Sequence, residues 1–154
     1  MELYTSLIER LKTQHETLPV IIANISKANL ELNPAPGKWS IRDNIAHLAK
    51  YQPMFIGRIH KILDNDGVAF ERYSADLDPE FPAWQIRETN ELLIQISFDR
   101  KLIQALITGL QPEQLSRTGI HPLYGKLTIV EWTEFFLLHE AHHLFTIFKL
   151  VKSI

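Results

Sequence analysis

The chain has 154 residues, 45% of them hydrophobic, and a formal net charge of -2 from 16 basic and 18 acidic side chains. This length suits a single domain over residues 1–154, and the near balance of charge disfavours nonspecific binding to nucleic acid or to an anionic membrane. The chain has no cysteine, which excludes disulfides, thiolate metal sites and a cysteine nucleophile. A metal ion would therefore need histidine, carboxylate or water ligands.

The first predicted element is one amphipathic helix over about residues 2–30, which the prolines at 34 and 36 end. Neither a secretory apolar segment nor an uncharged stretch long enough to span a bilayer is present, so we expect a cytoplasmic protein. His15 continues the apolar stripe of this helix, where a core histidine bonded to a backbone carbonyl is the expected role. The stripe itself follows steps of three and four: Leu3, Leu7, Leu11, Leu18, Ile22 and Ile25.

The second predicted helix begins after Ser40 and ends at about Leu63. Ser40 followed by Asp43 resembles a capping box with Asp in the position usual for Glu. His47 lies at the inner face of this helix or at its edge. His60 comes thirteen residues later, a rotation of about 220°, so its side chain should face away.

A long connection, residues 65–83, separates the second helix from the third. The third predicted helix covers about 83–110, and a short turn around 112–115 follows it. Arg58 on the second helix and Arg100 on the third could meet an anionic ligand, but ion pairing at the surface is the expectation for both.

The fourth predicted helix starts at the S/T-x-x-E signature of Thr128 and Glu131 and covers the apolar segment to about residue 151. No pair of strands competes convincingly with this helical pattern. Four helices with one long connection predict an all-α four-helix bundle, whose interior is a natural metal site. Five aromatic residues are assigned to its core rather than to a ligand cage: Trp39, Trp84, Trp132, Phe135 and Phe136.

The most informative motif lies on the fourth helix, from His139 to His143. Residues four apart share one helix face, so His139 and His143 can offer two nitrogens to one ion. His142 competes with His143, because the i,i+3 spacing also brings two rings together. Glu140 is rotated by about 100° from His139 and is expected on the flank of the bundle, bonded to His142 or solvent, with a general-base role as the minor alternative.

The same motif contains H-E-x-x-H, which supplies two zinc ligands and a water-activating glutamate in metalloproteases. The third ligand of those enzymes usually lies downstream, but the eleven residues after His143 include no His, Cys, Asp or Glu. The third ligand must come from upstream, where His47 is the obvious one, while His121 is assigned to a loop. Since imidazole must be neutral to bind a metal and its ordinary pKa is about 6.5, affinity should fall steeply below about pH 6.

Segments in both halves of the chain resemble the DinB/YfiT-like superfamily. Pro36–Ile41 and Ala46–Leu48 resemble its W-S-x-x-(D/E/N)-x-x-x-H-L region, and His121–Thr128 and His139–His143 are similar to the H-P-x-x-G…L-T…H-E-x-H-H pattern of one branch. The resemblance covers essentially the whole chain. It implies a four-helix bundle of the DinB/YfiT type.

The resemblance also implies one divalent ion, nickel or zinc, held by one histidine of helix two and two of helix four. Carried over to this chain, the ligands are His47, His139 and His143. Many relatives have Gln three residues after the last ligand, where this chain has Thr146. An amide both donates and accepts hydrogen bonds and reaches further than Thr, so the groups that orient the ligands are expected to differ here.

Three functions are compatible with this resemblance. The leading one is a metal-dependent S-transferase that joins a low-molecular-weight thiol to a small electrophile. The alternatives are a hydrolase using metal-bound hydroxide and a non-catalytic metal-binding or stress-induced protein. The expected partners are a small-molecule substrate, the thiol, and a second copy of the chain in a homodimer, with no nucleic acid and no membrane.

Overall fold

The computed structural model describes residues 2–154. Four long helical segments pack side by side and confirm the predicted four-helix bundle, and a small sheet covers one end. The helices are α1 (Thr5–Thr13), α2 (Thr17–Ile22), α3 (Lys27–Glu31), α4 (Ile41–Asp64), α5 (Phe81–Gln85), α6 (Thr89–Thr108), α7 (Pro112–Leu115) and α8 (Ile129–Lys152), and the strands are β1 (Val68–Ala69), β2 (Thr118–His121) and β3 (Gly125–Thr128).

The prediction of one continuous first helix over residues 2–30 is wrong. After α1 the backbone tightens into a short 3-10 turn over Gln14–Glu16, resumes as α2 and stops again before α3. Pro19 has no N–H to donate to the preceding turn, which weakens the helical ladder at this point. α3 then starts independently after Ser26, whose hydroxyl accepts from the N–H of Asn29. The apolar stripe is nevertheless buried at Leu7, Leu11, Leu18 and Ile22.

Both long helices that carry the candidate ligands start where the sequence predicts. At α4, the Ser40 hydroxyl accepts from the N–H of Asp43 at 3.0 Å, and the Asp43 carboxylate accepts from the N–H of Ser40 at 2.9 Å. At α8, Thr128 and Glu131 exchange the same pair of bonds, at 3.3 and 2.7 Å. These reciprocal bonds satisfy N–H groups that have no partner within the helix.

The third long helix begins later than predicted. α6 starts at Thr89, because Glu88 has an extended backbone that separates it from the short helix α5. The connection at 65–83 contains β1 and a 3-10 turn over Ala75–Leu77. The predicted turn at 112–115 is the single-turn helix α7.

The expectation that strands are absent is wrong. β2 pairs antiparallel with β3, with Ile120 opposite Lys126, and β1 pairs parallel with β2, with Val68 opposite Gly119. Two to four residues per strand are too few to show a period-two pattern in the sequence. Gly119 lies so close to α4 that an added Cβ would come within 2.8 Å of Ile62. This close approach lets the sheet pack directly against the bundle.

Two hydrophobic clusters fill the bundle, and on α8 the histidines fall between Leu137 of one and Leu144 of the other. Trp132 and Phe136 are buried, as predicted, and Trp84 is half-buried against the second cluster. No helix within residues 2–154 is both long enough and apolar enough to cross a bilayer.

Candidate metal centre

The bundle interior brings His47 of α4 together with His139 and His143 of α8. One ring nitrogen of each lies within 4.8 Å of the others, and the Nε2 atoms of His47 and His139 are 3.0 Å apart. His142 is exposed and its ring stands edge-on to that of His143, outside the cluster. His60 is exposed, which confirms that it faces away.

The cluster has the donor set of a metal site. Two nitrogens that each lie about 2.0–2.1 Å from a tetrahedral ion are about 3.3 Å apart, close to the spacing of the Nε2 atoms of His47 and His139. The Nδ1 atoms of both rings are buried and have no hydrogen-bond partner among the described residues. Three neutral imidazoles that converge on one point fit a divalent transition ion, with further positions open to small molecules.

Asn44 orients one of the candidate ligands, and the sequence did not single it out. Its Oδ1 lies 2.9 Å from Nδ1 of His143, so a proton on Nδ1 would be donated to the amide and the lone pair would remain on Nε2. Asn44 precedes His47 by one helical turn, and this i,i+3 spacing is the signal that could have identified it. Thr146 does not serve this purpose, because its hydroxyl donates to the carbonyl of His142.

Burial keeps the three imidazoles neutral. Loss of hydration lowers the pKa of His47 to about 4, that of His143 to about 3 and that of His139 to about 2. For His139 and His143, repulsion between protonated neighbouring imidazoles adds to this lowering of the pKa. At neutral pH all three rings are therefore free of the extra proton that would block a metal.

Aromatic side chains wall the cluster, which corrects the assignment of Trp39 and Phe135 to the core alone. The half-buried Trp39 ring lies 5.1 Å from that of His47 and stacks at 6.1 Å on that of His143. Phe135 stacks on His139 at 6.5 Å. These contacts shield the flanks of the imidazoles from water.

Glu140 is buried, not on a solvated flank, and Arg100 is not in a surface ion pair. The two side chains form an ion pair inside the bundle. Arg100 also donates to Gln52 at 3.2 Å and to the carbonyl of Leu11 at 3.3 Å, and Gln14 donates to Glu140 at 3.0 Å. The predicted rotation away from the ligands is correct, but that side of α8 faces α1 and α6 rather than water. Glu140 is therefore engaged elsewhere and is unsuited to act as a general base.

His15 lies beside this ion pair rather than at the cluster. Its Nδ1 is 3.5 Å from Nη1 of Arg100, and the predicted bond to a backbone carbonyl is not formed among the described residues. Burial, followed by the charge of Arg100, lowers its pKa to about 4.

His121 belongs to β2, not to a loop, and it organises the turn that follows. Its buried ring accepts the N–H groups of Leu123 and Tyr124 through Nδ1, at 3.1 and 3.2 Å. Gly125 closes the turn with φ +73°, which a residue with a side chain rarely adopts. The H-P-x-x-G motif is thus explained as a turn that positions Tyr124 beside the cluster.

Two adjoining cavities meet at His139. The main cleft has a volume of about 790 Å³ and also reaches His143. The side cavity has a volume of about 270 Å³ and also reaches His47. Both are lined by Arg72 and Tyr124, so a ligand in either would lie next to the histidine cluster.

Arg58, at the side cavity, corrects the second expectation of a surface ion pair. It is buried, with its guanidinium 5.4 Å from the ring of Phe70 and 5.5 Å from that of Trp132. Its donors reach the carbonyl of Glu71 at 3.3 Å and the hydroxyl of Tyr51 at 3.4 Å. No carboxylate of the described residues pairs with it.

Fold and site together define a four-helix-bundle protein with a candidate metal centre between its second and fourth long helices. The family model described as the DinB superfamily matches residues 10–147. The chain belongs to the DinB superfamily, as the two motif regions predicted.

Known proteins similar to the chain include YuaE of Bacillus subtilis strain 168, an uncharacterized protein that is 27% identical over 150 residues, with 88% of each chain covered. Among solved structures, YfiT of Bacillus subtilis superimposes with a TM-score of 0.81 at 18% identity, over 99% of this chain and 91% of its own. YfiT is described as a probable metal-dependent hydrolase with an unusual four-helix bundle topology. The DinB-like protein YjoA of Bacillus subtilis has a TM-score of 0.65 at 19% identity, with 97% and 91% covered. At these identities the structural matches establish the fold.

Proposed function

We propose that the chain is a metal-dependent enzyme that joins a low-molecular-weight thiol to a small electrophile. In this proposal His47, His139 and His143 hold one divalent ion, nickel or zinc. The observation that carries this proposal is a cluster of three neutral nitrogen donors that opens to a large cleft. No carboxylate of residues 2–154 belongs to this cluster.

When bound, the ion would supply a Lewis acid that lowers the pKa of a coordinated thiol or water. Intrinsic acidity favours the thiol, because its pKa starts near about 8.5, whereas that of water starts near about 15.7. Glu140, the nearest carboxylate in sequence, is held by Arg100. A thiol can therefore lose its proton to solvent at neutral pH with less help from the protein.

The side chains around the cluster support this chemistry in separate ways. Asn44 orients the ring of His143, and the low pKa values of the imidazoles leave their nitrogens free at neutral pH. Trp39 and Phe135 shield the rings, and the apolar part of the main cleft suits a small organic electrophile.

Metal-dependent hydrolysis is the second candidate. The description of YfiT as a probable metal-dependent hydrolase favours it, since that fold covers nearly the whole chain. It predicts turnover of esters or amides without any thiol. A homodimer and a cytoplasmic location remain predictions.

The test uses one panel of electrophiles and one of esters, each assayed with and without thiol and with and without metal. Elemental analysis should find about one ion per chain, with occupancy lowered in His143→Ala. The matched control is His142→Ala, which removes the exposed neighbouring imidazole and should retain the ion. Thiol-dependent turnover that is lost in His139→Ala supports the proposal.

Three results count against it. Thiol-independent hydrolysis that is lost in His139→Ala would replace the transferase by the hydrolase. Metal loss in His142→Ala, but not in His143→Ala, would show that the ligand set is wrong. A metal-loaded protein inactive on both panels would favour the non-catalytic alternative.

A further inference from the structure

The side cavity next to the histidine cluster is lined by positive charge alone. Arg58 and Arg72 contribute the only formally charged side chains to its lining, and no Asp or Glu is among the described residues that form it. The main cleft differs, because Glu131 and Glu134 also line it. The two cavities therefore favour ligands of different charge.

Arg58 is a buried cation without a counter-ion. Only 9% of its surface is exposed, and its two hydrogen bonds go to neutral oxygens at 3.3 and 3.4 Å, which leaves most of its five N–H donors unused. The other buried arginine, Arg100, is paired with Glu140. Because an unpaired buried charge is unfavourable, the missing partner of Arg58 is the feature that needs an explanation.

The position of Arg58 connects it to the cluster through a single side chain. Its Nη1 donates to the hydroxyl of Tyr51, and the ring of Tyr51 lies 4.3 Å from that of His139. Arg72 lines both cavities at the exposed side and makes no ion pair with the described residues. A small molecule with one end at the histidines could thus place its other end in the part of the side cavity that these two arginines line.

We propose that the side cavity binds the carboxylate of the thiol co-substrate, with Arg58 at its inner end and Arg72 at its mouth as specificity-determining residues. This inference rests on the proposed function. A planar guanidinium matches a carboxylate with two parallel hydrogen bonds, and the carboxylate supplies the charge that Arg58 lacks. The thiol that fits carries its carboxylate a few bonds from the sulfur.

The test compares 3-mercaptopropionate with 3-mercaptopropanamide, which share a thiol and differ in charge. Binding to the cobalt-loaded protein is followed through the absorption of the cobalt–thiolate bond, so no turnover is needed. We expect wild type to bind the carboxylate at least about tenfold more tightly, as one good charge-assisted bond implies. This ratio should approach one in Arg58→Gln and fall in Arg72→Gln, whereas Arg58→Lys should restore part of it.

The matched control is Arg87→Gln. Arg87 lines neither cavity and lies over the ring of Trp84, so its loss should leave the ratio unchanged. Arg72 is exposed, so Arg72→Gln should fold even if the change at Arg58 is destabilising. A carboxylate preference that survives in both Arg58→Gln and Arg72→Gln would come from chelation of the metal and would overturn the proposal.

A second arm separates this inference from the proposed function. The metal-free protein is titrated with butanoate and with butanamide, and the NMR signals of the arginine side chains are recorded. Butanoate binding that depends on Arg58 supports the carboxylate site, even if no thiolate absorption is seen with cobalt. Thiolate absorption with equal affinity for the acid and the amide would instead retain the metal function and refute the carboxylate site.

Discussion

At the scale of single residues, the amide of Asn44 is the group that holds a candidate ligand in place. Its contact with His143 selects which ring nitrogen keeps the lone pair. We expect Asn44→Ala to lower metal affinity about 10–100-fold, as for other groups that orient metal ligands. Competition with a chelator measures this loss. Thr146→Ala, on the neighbouring turn of α8, should change little, and equal losses in the two variants would contradict the assignment.

The low pKa values of the three candidate ligands change the expected response to acid. An ordinary imidazole would lose a metal below about pH 6, but protons compete for the folded site only near the lowered values of about 4, 3 and 2. We therefore expect the folded protein to retain its ion at about pH 5. Dialysis at stepped pH, with circular dichroism to confirm folding, measures this. If the folded protein loses half of its ion near about pH 6, the imidazole rings are more hydrated than the structure indicates and their pKa values are not lowered.

The same shifts predict how acid affects the metal-free fold. In the unfolded chain His15 and the three clustered histidines bind protons near about pH 6.5, whereas in the folded chain these four do so only near 4 or below, so the unfolded state gains more protons in between. Stability should fall as the pH decreases through this window. Urea unfolding at about pH 7 and 5 tests the sign, and the His47→Ala protein should lose less than wild type.

At the scale of the elements, the Arg100–Glu140 pair joins all four long segments of the bundle. Removing one partner leaves a buried charge unpaired, so Glu140→Gln should lower the free energy of unfolding by about 3–5 kcal/mol. Urea denaturation measures it. The double change Arg100→Met with Glu140→Leu should lower it by less than the sum of the single changes, because no charge is left behind.

Glu134 provides the matched control on the same helix. Its ion pair with Arg10 is partly exposed, with 27% and 34% of the side chains accessible. Glu134→Gln should therefore cost at most about 1 kcal/mol. Similar losses for Glu134→Gln and Glu140→Gln would indicate that the interior pair is hydrated.

At the scale of the whole molecule, the ion should stabilise a fold that does not depend on it. A free metal concentration about 100 times the Kd stabilises the folded state by about 2.7 kcal/mol, which corresponds to about 5–10 °C in Tm for a domain of this size. Removing the metal should therefore lower Tm while the helical signal persists, because two hydrophobic clusters remain. Calorimetry with and without chelator measures the change. His139→Ala should show no metal-dependent shift in Tm. An unfolded metal-free protein would show that the fold does depend on the ion.

The sequence alone determined where α4 and α8 begin and which face of each carries the candidate ligands. Local signals are sufficient for these features: the capping boxes at Ser40 and Thr128 set where α4 and α8 begin, and the helical period sets the direction of each histidine. The i,i+4 spacing of His139 and His143 needs no information from elsewhere in the chain. The break in the first helix and the three short strands escaped prediction, since their residues carry too little periodic signal.

Only the tertiary structure decided what lies opposite each side chain. The helical period gives the angle of Glu140 correctly, but whether water or Arg100 lies at that angle depends on how the neighbouring helices pack. Arg58 is buried for the same reason, under Phe70 from the connection and Trp132 from α8. The burial and the pairing of these side chains depend on residues that are far apart in the chain. Burial removes hydration and so sets the pKa values of the histidines and keeps their nitrogens free of protons. Pairing decides which charges remain uncompensated in the side cavity.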